Sequence, residues 1–256
     1  MGANRINGKS VCITGATSGI GKATARLFAE EGASLILTGR RKTRLDTLSD
    51  ELKQNHGVAV SVYDFDVRNQ EACISFVNGL DGSIDILVNN AGLAKGADSV
   101  YAADVSDWET MIDTNVKGLL YLTRLVAPGM KERNAGHIIN IGSIAGHESY
   151  PGGSVYCATK HAVKAITEST KKDLHGTRVR VSMVSPGLVE TEFSNVRFND
   201  DNEKADQVYK GMQPLVAQDI AEIILFTANR PAHVNIMDTF VLPVYQSSSQ
   251  MVHRDE

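Results

Sequence analysis

The chain has 256 residues, 42% of them hydrophobic, and carries 26 Lys and Arg against 30 Asp and Glu. That length and apolar content suit one globular domain over residues 1–256, and a formal charge of −4 without a basic run argues against a nucleic-acid-binding surface. No uninterrupted apolar stretch could span a bilayer and no apolar leader opens the chain, so a cytoplasmic location without a membrane partner is expected.

The Met1-Gly2 start hints at acylation, but Ile6 stands where that motif requires Ser or Thr. Cys12, Cys73 and Cys157 are scattered, with no C-x-x-C, as buried structural thiols would be. The seven histidines are dispersed without an H-E-x-x-H, so no metal site is expected.

In chain order, the apolar run Ser10–Thr14 predicts a strand, followed by a glycine turn, Gly15-Ala16-Thr17-Ser18-Gly19-Ile20-Gly21, and a helix pattern ending at Gly32. Strand, glycine turn and helix is the context a dinucleotide fingerprint requires: glycines admit a pyrophosphate, and the helix N-terminus offers free N–H groups. The alternative is a tight turn with no ligand. A P-loop does not fit, because Ala16 and Ala23 replace its first glycine and its Ser or Thr.

A second strand over 34–38 ends in Gly39-Arg40-Arg41. NAD sites place an acid near here for the ribose 2′-hydroxyl. Two guanidinium forks suit a phosphate instead and point to NADP, the alternative being a solvated basic helix start. Arg44 either joins this cluster or faces water. A third strand over 58–65 leads to Asp66 and Val67, a helix pattern covers 68–79, and a fourth strand over 84–88 runs into Asn89-Asn90-Ala91-Gly92.

From Asp104, apolar spacing predicts one long helix through Leu122. Asn115 within it is either a core amide satisfied by backbone or a polar group serving the site. The fifth strand, 138–141, is followed by Ser143, and the sixth, 179–184, is broken by Pro186-Gly187. Residues 191–212 are polar and breaker-containing, as a substrate-covering lid would be. A helix over 219–228 and an apolar run over 237–241 close the sheet.

Strands alternating with helices imply βαβ units and a parallel, doubly wound α/β sheet of Rossmann type, which takes ligands beyond its carboxyl edge. The glycine turn, Arg40, Asp66, Asn90, Ser143 and Pro186 all belong there. Tyr156 and Lys160, at i and i+4, share one helix face. A free tyrosine has a pKa of about 10, and an ammonium held close would lower it toward the working range of an acid/base.

These residues resemble the short-chain dehydrogenase/reductase family: TGATSGIG at the first turn, NNAG at Asn89, then Asn115, Ser143, YCATK at Tyr156 and PG at Pro186. The resemblance implies strand order 3-2-1-4-5-6-7, usually a homotetramer, and a catalytic tetrad of Asn115, Ser143, Tyr156 and Lys160. Tyr156 is then the acid/base and Ser143 orients the substrate oxygen. Lys160 lowers the tyrosine pKa and binds the nicotinamide ribose, and Asn115 positions a relay water.

It also implies NADP lying along Gly15, Thr17, Ser18, Gly19, Ile20 and Gly21. Arg40, Arg41, Asp66, Val67 and Asn90 would flank it, with Pro186, Gly187, Val189 and Thr191 on its other side. Narrower likeness in IGSIAG, GLVETEFSNVRF and PAHVNI is to the NADP-dependent 3-hydroxy acid dehydrogenases, which act on L-allo-threonine, L-serine and 3-hydroxypropionate or malonic semialdehyde. Only Glu190 stands between Val189 and Thr191, where bacterial members often carry one residue more. Arg197, in a lid at about 188–213, is the candidate for a substrate carboxylate.

A serine hydrolase lacks its G-x-S-x-G elbow here. A general carbonyl or β-ketoacyl reductase and a non-catalytic NADP-binding protein are the other readings.

Overall fold

The computed structural model describes residues 4–255, so the Met1-Gly2 start lies outside the described residues. Six strands come first: Ser10–Thr14 (β1), Ser34–Gly39 (β2), Val60–Asp64 (β3), Ile86–Asn89 (β4), Gly136–Ile141 (β5) and Val179–Pro186 (β6). Two two-residue strands, Val189–Glu190 (β7) and Leu215–Val216 (β8), precede Asp238–Val241 (β9). The sheet runs β3-β2-β1-β4-β5-β6-β9, every pairing parallel. This is the expected order, its last strand being ninth in the chain because β7 and β8 pair separately.

The core follows from period two along strands buried on both faces. Val11 and Ile13 of β1 join Phe28, Leu45, Leu48, Leu52, Ile220 and Ile224 on one face of the sheet. Those side chains come from Gly19–Glu30 (α1), Lys42–His56 (α2) and, later in the chain, Ala217–Ala228. Cys12 points the other way, into a cluster with Phe76, Leu87, Leu122, Val126 and Met130. Each such large side chain contributes roughly 1.5–3 kcal/mol on burial.

The second face is covered by Gln70–Asn78 (α3), Leu119–Glu132 (α5) and Ser154–Asp173 (α6), while Val105–Ile112 (α4) packs on α6 through Met111. Capping sets where α3 and α4 begin: Asn69 accepts from the Ala72 N–H and Asp104 from the Ser106 N–H. A buried polar ladder ties this layer to the sheet. The Asn89 amide donates to Thr123 and to Asn140, at 3.0 and 2.9 Å, and Asn140 donates to Thr167 of α6 at 2.9 Å. Phe193–Arg197 (α7) and Asn202–Gln207 (α8) precede Ala217–Ala228 (α9). Among the described residues no helix is long and apolar enough to cross a membrane.

Several boundaries differ from expectation by one or two residues, among them the fourth strand, Ile86–Asn89 against 84–88, and the fifth, Gly136–Ile141 against 138–141. The β3 strand is shorter at both ends than 58–65, spanning Val60–Asp64. The β6 strand runs through Pro186 rather than stopping before it: a proline lacking N–H fits the last place, and the Gly187 N–H donates to Val241 at 2.8 Å. The long helix from Asp104 is not continuous α-helix. A π-helical turn, Asp113–Gly118, separates α4 from α5 and contains Asn115.

Candidate active site

The carboxyl edges of β1, β2, β4, β5 and β6 open onto a cavity of about 450 Å3. Every residue nominated from the sequence lines it except Gly21, Arg44 and Asn115.

The two middle strands are locked where the sheet changes direction. The Asn90 amide donates to the carbonyls of Thr14 and Gly15, at 2.7 and 3.2 Å, while Thr14 Oγ1 accepts from the N–H groups of Asn90 and Ala91. Gly21 sits beneath: a Cβ there would stand 2.5 Å from Asn90 Nδ2 and from the Gly15 carbonyl. The turn is therefore drawn tight against β4, leaving the N-terminus of α1 facing the cavity. Such an end presents unpaired N–H groups and partial positive charge to an anion.

Beside it is a cationic corner. Arg41 donates through Nε and one terminal nitrogen to Thr17 Oγ1, at 3.1 and 2.7 Å, and to Ser18 Oγ at 2.8 Å. Its other terminal nitrogen meets Glu192 at 2.9 Å. Arg44 joins the cluster rather than facing water, donating to both oxygens of Glu192 at 2.7 and 2.9 Å. Burial pushes the Glu192 carboxyl up, but hydrogen bonds from Arg41 and Arg44 outweigh it and the net shift is downward. Arg40 is less fixed: its side chain is 59% exposed, 3.9 Å from Asp66, whose carboxylate is already held by Arg68.

Tyr156 and Lys160 share the buried face of α6. Gly146 lets this helix approach the turn bearing Ser143, since a Cβ there would meet the Lys160 carbonyl at 2.6 Å. Burial, then the charge of Tyr150, push the Tyr156 phenol up; a hydrogen bond with Ser143 and the Arg197 charge pull the other way without reversing it. The expected lowering by Lys160 is not the balance found. Lys160 Nζ donates to the Ile141 carbonyl at 2.8 Å, stands 5.9 Å from the Tyr156 ring centre, and is itself lowered by burial to about 8.

Asn115 is held by backbone and by one hydroxyl. Its oxygen accepts from the Leu93 N–H at 2.9 Å, and its amide donates to the Leu93 carbonyl and Thr159 Oγ1, at 2.8 and 3.1 Å. It thus braces the loop after β4 against the helix bearing Tyr156. Its amide nitrogen and oxygen are both engaged in that brace.

Arg197 reaches into the same cavity, donating to the Gly96 carbonyl at 3.0 Å and to Tyr150 Oη at 3.1 Å. Phe193 packs on Tyr156, ring centres 5.7 Å apart. Glu192, Phe193, Tyr150, Gln246 and Ser249 also line the cavity, and no motif or spacing marks any of them individually as a site residue. Gln246 holds the Leu188 N–H at 2.9 Å from a position 58 residues away, a distance no local pattern signals.

The sequence pattern of short chain dehydrogenases matches residues 9–202, more than half of the chain. The chain belongs to the short-chain dehydrogenase family. Within that family it is 51% identical over 249 residues to the NADP-dependent 3-hydroxy acid dehydrogenase YdfG of Salmonella typhi, the match covering 95% of this chain and 99% of the relative. It is 45% identical over 257 residues to the NADP-dependent 3-hydroxy acid dehydrogenase of Schizosaccharomyces pombe, covering 99% of both. Among solved structures, the closed form of a serine dehydrogenase complexed with NADP+ superposes with a TM-score of 0.90 at 49% identity, covering 96% of this chain and 99% of that one. Family membership makes the protein an oxidoreductase.

Proposed function

We propose that the protein transfers hydride between NADP and the 3-hydroxyl or 3-carbonyl of a small hydroxy acid, of the L-allo-threonine, L-serine or 3-hydroxypropionate and malonic semialdehyde type. The observation that carries this reading is Arg197 in one cavity with Ser143 and Tyr156, a guanidinium able to fix a carboxylate while the two hydroxyls face the reacting oxygen. The names of the similar proteins point the same way.

The residues fit the cofactor. The tightened glycine turn and α1 N-terminus suit its pyrophosphate, Arg41 and Arg44 its 2′-phosphate, and Lys160 and Asn90 its nicotinamide end. NADP when bound supplies or accepts hydride. Tyr156, held as a phenol by its burial, hands its proton to the substrate oxygen in the reducing direction and recovers it in the oxidising one. Ser143 donates to the same oxygen and fixes its position. Asn115 and Gly146 hold the loop and helix that set these distances.

Residues 188–213 act as a lid within a single catalytic domain, a reading supported by the contacts of Glu192, Phe193 and Arg197. The exposed apolar side chains Val105, Ile112 and Leu120 on α4 and α5 support a homotetramer, and three unpaired cysteines support a cytoplasmic location.

The test follows NADPH absorbance with L-allo-threonine, L-serine, 3-hydroxypropionate and a neutral ketone, with NAD in parallel. Activity on the hydroxy acids with NADP preferred is the expected result. Turnover of the neutral ketone alone would replace it with a general carbonyl reductase.

A further inference from the structure

Glu192 is an acid placed on the two arginines that the preceding section gives to the cofactor's 2′-phosphate, and the inference rests on that assignment. Arg41 has all three guanidinium nitrogens engaged, on Thr17, Ser18 and Glu192, and Arg44 directs one nitrogen to both oxygens of the same carboxylate. An incoming phosphate must therefore displace something. The hydroxyls of Thr17 and Ser18 can turn and donate to a phosphate oxygen, because a hydroxyl is both donor and acceptor. An ionised carboxylate has no proton to offer and carries like charge. Of Arg41's three partners, only Glu192 has to leave.

The exchange is physically easy. The Glu192 side chain is 48% exposed, so it can return to water at small cost. A phosphate monoester bears about 1.5 to 2 negative charges and matches two guanidinium groups better than one carboxylate does. We propose that Glu192 is a built-in competitor for the 2′-phosphate subsite, occupying Arg41 and Arg44 until the cofactor's phosphate displaces it, and so setting how strongly phosphate is preferred over a bare ribose hydroxyl. It is a specificity-determining residue, with no contact to the reacting atoms.

The experiment titrates the full-length protein at low ionic strength with adenosine 2′,5′-bisphosphate and adenosine 5′-phosphate. Glu192→Gln and Glu192→Ala should each bind the bisphosphate about three- to tenfold more tightly, with 5′-phosphate within about twofold of the parent. The gain should shrink in high salt, as competition between partly exposed charges does. Unchanged or weaker bisphosphate binding in both variants, or shifts of opposite sign, overturns the proposal. Arg41→Ala separates the two readings. If it weakens the bisphosphate while the Glu192 variants do not tighten it, the competitor role alone fails. If Arg41→Ala leaves the bisphosphate affinity unchanged, the arginine assignment fails and the competitor role falls with it.

Discussion

The ammonium of Lys160 donates to the carbonyl of Ile141 at 2.8 Å and stands 5.9 Å from the centre of the Tyr156 ring. It is a buried cation whose close partner is a neutral dipole, an arrangement that costs stability. Lys160→Met should fold, lose turnover, and melt higher at pH 7, by roughly 2–4 °C for each kcal/mol of relieved penalty. The sign with pH follows from a folded value of about 8 against the ordinary 10.5. Below pH 8 both folded and unfolded chains hold the proton and the full penalty stands. Between these values the unfolded chain keeps a proton that the folded one has lost, so parent stability rises with pH. The gap between variant and parent should therefore narrow across that window in differential scanning calorimetry.

Tyr156→Phe removes one hydroxyl from a ring that stays packed against Phe193. Turnover should fall by about 10²–10⁴-fold, the usual contribution of a positioned acid/base. NADPH affinity, read by fluorescence, should stay within about twofold. Retained turnover would take the proton transfer away from this residue.

The two adjacent arginines should separate. Arg41 is anchored to the glycine turn through Thr17 and Ser18, whereas Arg40 is 59% exposed. Arg41→Ala should lower the ratio of kcat/KM for NADP over NAD by about 10–100-fold, in line with losing charge-assisted hydrogen bonds. Arg40→Ala should change the same ratio by less than about threefold.

Arg197→Ala should raise KM for L-serine by about tenfold or more while sparing a neutral ketone. Arg197→Lys should restore little, because an ammonium lacks the planar fork. Arg197 also braces Tyr150 and the Gly96 carbonyl, so a melting curve must accompany the kinetics.

Gly146→Ala places a methyl 2.6 Å from the Lys160 carbonyl, with backbone on both sides of the contact. A cost of about 1–3 kcal/mol is expected, as for overpacking elsewhere. Turnover should fall with it, since the turn and α6 together set the gap between Ser143 and Tyr156.

The parallel sheet was legible because its inner strands are buried on both faces and read as unbroken apolar runs, as in Val11-Cys12-Ile13 and Ile86-Leu87-Val88. Glycine spacing and the Tyr156–Lys160 interval carried the site because both reflect local backbone geometry. What a side chain reaches across the fold left no such trace. The turn of Lys160 toward Ile141 depends on a rotamer and a neighbouring strand end, and the sequence interval is the same whichever way it points. The π-turn at Asn115 keeps the apolar spacing of an ordinary helix to within one residue. Glu192 is one of several acids in a polar stretch, and its meaning comes entirely from arginines about 150 positions earlier.

Glu192, Phe193 and Arg197 lie within six consecutive residues, yet they touch the arginine corner, Tyr156 and the tyrosine beside the candidate carboxylate site. On the proposed reading, selectivity for the carrier and for the cargo is thus written on one short peptide. A graft of this stretch between relatives would transplant both tastes at once, and an insertion upstream of it, in the Val189–Glu190 step, would shift all three grips together.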